Sequence, residues 1–330
     1  MSASSPLLSL RGLRASFPAP GGSVAVVDGV DLDVMPGEVL GLVGESGSGK
    51  SMTLRSVMRL VRSPGRVEGR LLWRGRDLLS LSEPAMRGVR GREIGMVFQE
   101  PISALNPVLT VGQQIGESLA AHTDLDRAGR RRRAVELLDL VGIPAAGQRL
   151  GDYPHQFSGG MRQRAMIAVA LASNPALLLA DEPTTALDVT IQDQILRLIL
   201  RLRDTLGMAV ILVTHDLGVV AQSCDRIAVM YAGRIAEVGG VGEVFAAPRH
   251  AYTLGLLRSV PDAGEARQKL RPIGGAPPVP GAAGAACAFA PRCAYATAAC
   301  AAGRPALIGL GAGRETACIH WDRLDRAEAA

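Results

Sequence analysis

Aromatic residues are scarce in this sequence: two Trp, four Tyr and five Phe make up 3% of 330 residues. The core must therefore be built from Leu, Val, Ile and Ala. Little aromatic surface is left for stacking nucleic-acid bases, which argues against a nucleic-acid partner. Long apolar runs are missing too. A membrane-crossing helix needs about 18 or more apolar residues in a row, and the best candidates, Ala165 to Ala172 and Ala209 to Val213, are core-sized. The opening stretch MSASSPLLSLRGLR lacks the basic start, long apolar run and small-residue cleavage site of an export signal, so a cytoplasmic location is expected. Cysteine is nearly absent until the end of the chain, where Cys287, Cys293, Cys300 and Cys318 cluster. In a reducing compartment such a cluster reads as metal binding before it reads as disulfides. Charge excludes little: 36 basic against 31 acidic residues, net +5, suits a phosphate ligand or an anionic membrane face equally.

What is present is an ordinary globular composition, 48% apolar, in a chain long enough for one large domain or two modest ones. From Leu7 to Val43, short apolar runs alternate with turn signals at Gly21-Gly22, Asp28-Gly29 and Met35-Pro36-Gly37, predicting strands that end in a buried one at Val39 to Val43. A helix is expected from the glycine loop that follows through Leu60, then strands at Gly69 to Trp73 and Ile94 to Phe98. Residues 100–175 read as mostly helical, with i, i+3, i+4 apolar spacing in Val111 to His122 and Arg130 to Val141. The run Arg130 to Arg133 reads as a solvated helix face. Beyond Ala176, strand-length apolar runs at Leu177 to Ala180, Val210 to Val213 and Ile227 to Met230 alternate with a helix around Ile191 to Leu206, implying βαβ units and a parallel sheet. From Pro261 the composition turns to Gly, Pro and Ala, predicting a linker before a small Cys-bearing tail.

The segment Gly44-Glu45-Ser46-Gly47-Ser48-Gly49-Lys50-Ser51 matches G-x-x-x-x-G-K-[ST] between a predicted buried strand and a predicted helix. Glycines let backbone N–H groups turn inward around phosphate oxygens, and the helix presents its positive end to them. Gly44, Ser46, Gly47, Ser48, Gly49, Lys50, Ser51 and the adjacent Met52 form the candidate nucleotide-binding set, with Lys50 reaching the β- and γ-phosphates of ATP and Ser51 ligating Mg²⁺. Leu177 to Glu182 adds an apolar strand ending in two acids. Asp181 is placed to hold the metal through water and Glu182 to polarise the attacking water, which favours hydrolysis over passive binding.

Between these elements lies Phe157-Ser158-Gly159-Gly160-Met161-Arg162-Gln163-Arg164, which resembles the signature segment of ABC ATPases. The resemblance extends in order to Gln99, Thr185-Ala186-Leu187-Asp188 and His215, and to Phe17 as an aromatic for adenine. It implies an α/β P-loop NTPase fold with a RecA-like core, an antiparallel β subdomain, an inserted helical subdomain at about 100–175 and a small irregular Cys-rich extension. It also implies roles: Gln99 as sensor of the γ-phosphate and metal, His215 as γ-phosphate contact, and Asp188 in the segment after the base. Ser158, Gly159 and Gly160 would serve the nucleotide of a second cassette. Met161 and Phe157 depart from the usual L-S-G-G-Q. Such segments, with Phe98-Gln99-Glu100-Pro101, Tyr153-Pro154-His155-Gln156 and Arg249-His250-Ala251-Tyr252-Thr253, are similar to the peptide and nickel importer branch.

Membership would make this an ATPase subunit, residues 1–260 forming the cassette and 261–330 the extension. It would work peripherally on the cytoplasmic face of the inner membrane. Expected partners are a second, different ATPase subunit, two transmembrane permeases and an extracytoplasmic substrate-binding protein. Dipeptides, oligopeptides and nickel all remain open as cargo. A soluble ABC ATPase of translation or repair is disfavoured, because the chain holds one cassette and no inserted coiled coil. The tail spacings C-x5-C, C-x6-C and C-x17-C contain no C-x2-C knuckle. Four thiolates suit either a [4Fe–4S] cluster or zinc, the resemblance favours the cluster, and unligated structural thiols are the third alternative.

Overall fold

The computed structural model describes residues 5–185, 187–259, 272–279, 281 and 284–324. Ala186 of the Thr185–Asp188 segment, the expected linker start at Pro261, residues 1–4 and residues 325–330 lie outside them.

In chain order, β1 (Leu8–Ala19) and β2 (Gly22–Val34) form a hairpin, followed by β3 (Val39–Val43), α1 (Lys50–Val57), β4 (Arg66–Trp73) and β5 (Arg76–Asp77). Next come α2 (Glu83–Arg87), β6 (Ile94–Val97), α3 (Pro101–Ala104), α4 (Val111–His122), α5 (Arg127–Leu140), α6 (Ala146–Arg149) and α7 (Gly159–Ala170). The chain continues through β7 (Leu177–Asp181), α8 (Val189–Leu206), β8 (Ala209–Val213), α9 (Leu217–Ser223), β9 (Arg226–Tyr231), β10 (Arg234–Gly240), α10 (Val241–Ala246) and α11 (Ala251–Arg258). The tail holds α12 (Ala298–Ala302), β11 (Ile308–Gly311) and β12 (Arg314–Thr316). No helix among the described residues is long and apolar enough to cross a membrane.

Local chemistry sets the helix ends. Thr110 and Gln113 make a reciprocal capping box on α4. Asp126 accepts from Gly129 N–H to open α5, and Gly207, at φ +64°, closes α8. The expected α1 helix through Leu60 stops at Val57, because Arg59 turns left-handed (φ +50°) while the N–H groups of Arg59 and Leu60 close on the carbonyls of Ser56 and Arg55. Asp28-Gly29, expected as a turn, lies inside β2. There the register to β1 slips, and Gly29 at φ +76° absorbs the irregularity.

Two compact units are built. The first combines residues up to 34, 39–79 and those from 214 onward. It contains the antiparallel sheet β2-β1-β4-β5, and strands in the order β11-β12-β10-β9-β3 with β9 parallel to β3. Its apolar centre includes Val43, Ile227, Val229, Tyr252, Phe289 and Leu324, so tail residues are part of a core. The extension is accordingly less irregular than its composition suggests: β12 pairs antiparallel with β10 at Glu237↔Thr316. The second unit, 35–38 and 80–213, carries parallel β8-β7-β6 and the helices α2 to α8. Every residue of β7 and β8 is buried, which explains their unbroken apolar reading.

Candidate functional site

The phosphate loop belongs to the first unit. Buried β3 delivers the chain to Gly44, whose φ of +150° only glycine adopts readily, and a Cβ there would stand 2.1 Å from the Met230 carbonyl oxygen. Gly49, at φ +105°, is equally constrained, its hypothetical Cβ meeting the Val26 carbonyl at 2.7 Å. Gly49 opens α1 without any side-chain cap, and no acid lies in the first turn, so the helix end keeps its positive field for an anion. Lys50 is buried, its Nζ donating to the carbonyls of Gly44 (2.7 Å) and Glu45 (2.9 Å) and to Ser48 Oγ (3.4 Å). Ser46 and Gly47 line the outer part of the loop, while Ser51 and Met52 follow Lys50 as half-buried helix residues. Phe17 is half-buried on β1 opposite Val24, its ring edge so close to Gly65 that a Cβ there would come within 2.6 Å. His215 is exposed, in a turn pinned by Thr214 N–H on the Leu42 carbonyl and by Asp216, which accepts from Gly218 and Val219 to cap α9.

The second unit carries the acids. Asp181 is buried at the end of β7. Glu182 turns left-handed, at φ +45°, and its N–H donates to the Val213 carbonyl at 3.1 Å. That fold-back aims the carboxylate at two donors: Gln99 Nε2 at 3.2 Å and Thr185 Oγ1 at 2.8 Å. Gln99 and Glu182, 83 residues apart, are thus brought together. The Thr185 hydroxyl is an orienting partner that sequence reasoning missed, although its place three residues after the acid is a turn-like signal. Ser158 caps α7 by accepting from Met161 N–H at 3.3 Å. A Cβ on Gly160 would come within 3.0 Å of Ile191, and one on Gly159 within 3.5 Å of Leu187. Asp188 is exposed at the start of α8.

In the tail, Cys287, Cys293, Cys300 and Cys318 are all free thiols lining one cavity with Phe289, Tyr295 and His250. Burial pushes the Cys293 thiol up to about 11, and those of Cys287 and Cys318 also upward, so all three hold their protons at neutral pH. The four sulfurs share a cavity, but no group of three or more His, Cys, Asp and Glu among the described residues stands close enough to hold a metal ion. The donor chemistry suits a soft metal; the ligand geometry is not preformed. The Arg249–Thr253 element has a definite place. Buried His250 caps α11 by accepting from Tyr252 N–H at Nδ1, and the Tyr252 hydroxyl accepts from the phosphate-loop N–H of Glu45 at 2.7 Å.

Comparison with known proteins matches these features. Residues 27–185 match the ABC transporter family model, and residues 236–300 the oligopeptide/dipeptide transporter C-terminal region. A protein provisionally named a peptide import ATP-binding protein, from Brucella melitensis biotype 1, is 52% identical, covering 97% of this chain and 98% of its own length. Another so named, from Brucella abortus, is 48% identical over 95% of this chain and 94% of its own. A solved dimeric ATP-binding cassette in a post-hydrolysis state with ADP and Pi superposes with a TM-score of 0.64 at 29% identity, over 71% of this chain and 98% of its own. A Clostridium perfringens cassette that is part of an ABC transporter complex gives 0.62 at 28% identity, over 73% and 91%. The α/β architecture, the phosphate loop and these full-length relatives together make the chain a member of the ABC transporter family, an ATP-hydrolysing subunit of it.

Proposed function

We propose that this chain energises the import of small peptides. The observation that carries the reading is that residues 236–300, following the cassette, match the C-terminal region of oligopeptide/dipeptide transporters, in a chain that aligns over nearly its whole length with relatives named as peptide import ATP-binding proteins. In this reading ATP lies against the loop from Gly44 to Ser51, Lys50 reaches its β- and γ-phosphates, and Phe17 rests on adenine. Ser51, Asp181 and Gln99 each offer an oxygen donor of the kind that the hard cation Mg²⁺ takes, and Mg²⁺ when bound would neutralise charge on the phosphates. Glu182 polarises the attacking water, with Gln99 and Thr185 fixing its orientation, and His215 hydrogen-bonds the γ-phosphate. Ser158, Gly159 and Gly160 serve the ATP of a second, related cassette, with Asp188 near the seam. Closure and reopening of the pair drives two permeases fed by an extracytoplasmic binding protein.

Residues 1–260 act as the motor and 261–330 as its extension, at the cytoplasmic face of the inner membrane. Capture of the tagged chain from detergent-solubilised membranes tests the assembly: integral permeases and a second cassette are expected, and recovery of the chain alone would reject it. For the tail we propose a [4Fe–4S] cluster on Cys287, Cys293, Cys300 and Cys318. Support comes from four soft donors on one cavity, and loading requires the thiols to lose their protons and draw together. Anaerobic purification should give a brown protein with stoichiometric iron and sulfide; stoichiometric zinc, or no metal, would reject the cluster.

A further inference from the structure

Glu45, the second residue of the phosphate loop, is held at three points, and one of the holders comes from the tail. Its N–H donates to Tyr252 Oη at 2.7 Å, and its carbonyl accepts from Lys50 Nζ at 2.9 Å. Its carboxylate is gripped on both oxygens by Arg292, at 2.6 Å and 2.8 Å. Arg292 lies 247 residues away, directly before Cys293. Its side chain is 5% exposed, whereas that of Glu45 is 26% exposed.

The guanidinium is fixed before it meets the loop. Nε donates to the Gly274 carbonyl at 2.9 Å, and the plane lies 5.8 Å from the Tyr231 ring centroid and 5.9 Å from that of Phe289. A planar fork held by stacking and by a main-chain acceptor loses little further freedom in making two parallel bonds. Tyr231, Tyr252 and Phe289 also pack on one another, so both grips on residue 45 rise from one aromatic cluster.

We propose that Arg292 is a positioning residue for ATP: the tail braces the phosphate loop through Glu45, so nucleotide affinity depends on a residue of the cysteine-bearing extension. The inference rests on the ATPase reading above. A mere staple for the tail would lower stability and leave the loop's affinity alone; a brace acts on ATP.

The experiment measures ATP KM and kcat for the full-length chain assembled with its second cassette, and the thermal midpoint of the chain, for the wild type and its variants. Arg292→Ala should raise the KM for ATP about tenfold, the scale of one charge-assisted pair, with kcat changed less than about twofold. Arg292→Lys, which keeps the charge but not the fork, should fall between. Glu45→Ala should resemble Arg292→Ala, and the double variant should be no worse than either single one. Arg304→Ala serves as control, since Arg304 ties the tail at 2.6 Å to Asp28 on β2, a residue outside the Gly44–Ser51 segment, and its KM should be that of the wild type. The proposal is overturned by a wild-type KM in Arg292→Ala, by additive loss in the double variant, or by an equal KM rise in Arg304→Ala. If Arg292→Ala does not fold, Arg292→Lys and Glu45→Gln retain the packing, and wild-type KM values in both overturn it equally. Absence of ATP turnover in the wild type would refute the ATPase reading instead.

Discussion

Replacing Gly44 by alanine should cost nucleotide affinity while leaving the fold in place. The added Cβ would sit 2.1 Å from Met230 O and 2.9 Å from Ser48 Oγ, at φ +150°. Real Cβ contacts essentially never fall below 3.0 Å, so the gap to the carbonyl has to widen from 2.1 to at least that value. Met230 belongs to β9, bonded to β3 on one side and β10 on the other, and cannot retreat cheaply. The loop therefore moves. Left-handed strain costs roughly 1–3 kcal/mol and overpacking about as much again. Even a total near the low end, ~2 kcal/mol, corresponds to about thirtyfold in affinity. Gly47→Ala is the internal comparison: its φ is +78° but nothing lies within 4 Å, so only strain of ~1 kcal/mol is added, about fivefold. Equilibrium ATP binding, with thermal unfolding in parallel, reads both. Binding by Gly44→Ala within about fivefold of wild type, or greater damage from Gly47→Ala, would contradict this ordering.

Other expectations follow from the same geometry. Glu182→Gln should lower ATP turnover by about 10²–10⁴ while ATP binding persists; turnover near wild type would remove Glu182 as the base. Glu237, fully buried, accepts from the N–H groups of Arg249 (2.8 Å) and His250 (3.0 Å) and from Arg314 (2.9 Å), so Glu237→Leu should cost about 3–5 kcal/mol in urea unfolding, and a loss under ~1 would contradict that. Burial holds the His250 imidazole down to about 4 from its ordinary 6.5. The unfolded chain then binds a proton that the folded chain refuses, and stability is full above 6.5 and lost as pH falls towards 4, by about 3 kcal/mol in all. His250→Asn, which can still accept from Tyr252 N–H, should flatten that slope; an unchanged slope would assign it elsewhere.

The residues legible in the sequence were those whose chemistry is local. The buried strand Val39–Val43, the glycines at 44 and 49 and the helix Val111–His122 follow from patterns a few residues long, and each lies where its pattern puts it. The Arg130–Arg133 run lies on α5 as expected, with Arg131 and Arg132 exposed and Arg133 bonded to Glu136 and Asn174. What could not be read depends on distant partners. Asp28-Gly29 carries a turn signature, yet pairing with β1 keeps it in a strand. Ile308–Gly311 and Arg314–Thr316 have too few strand-forming residues to announce a hairpin, and β12 exists by pairing with β10. Glu45, an unremarked x of the loop motif, gains its partners from 207 and 247 residues away. The tail cysteines were conspicuous by spacing, but spacing cannot say whether their sulfurs approach to ligating distance.

The most direct measurement is ATP hydrolysis by the chain assembled with its second cassette, permeases and binding protein in lipid vesicles, with and without a panel of small peptides. Turnover should rise when a transported peptide is supplied, accompanied by peptide uptake, and both should be lost in Glu182→Gln. Hydrolysis indifferent to every peptide, or uptake that continues in the Glu182→Gln assembly, would contradict it.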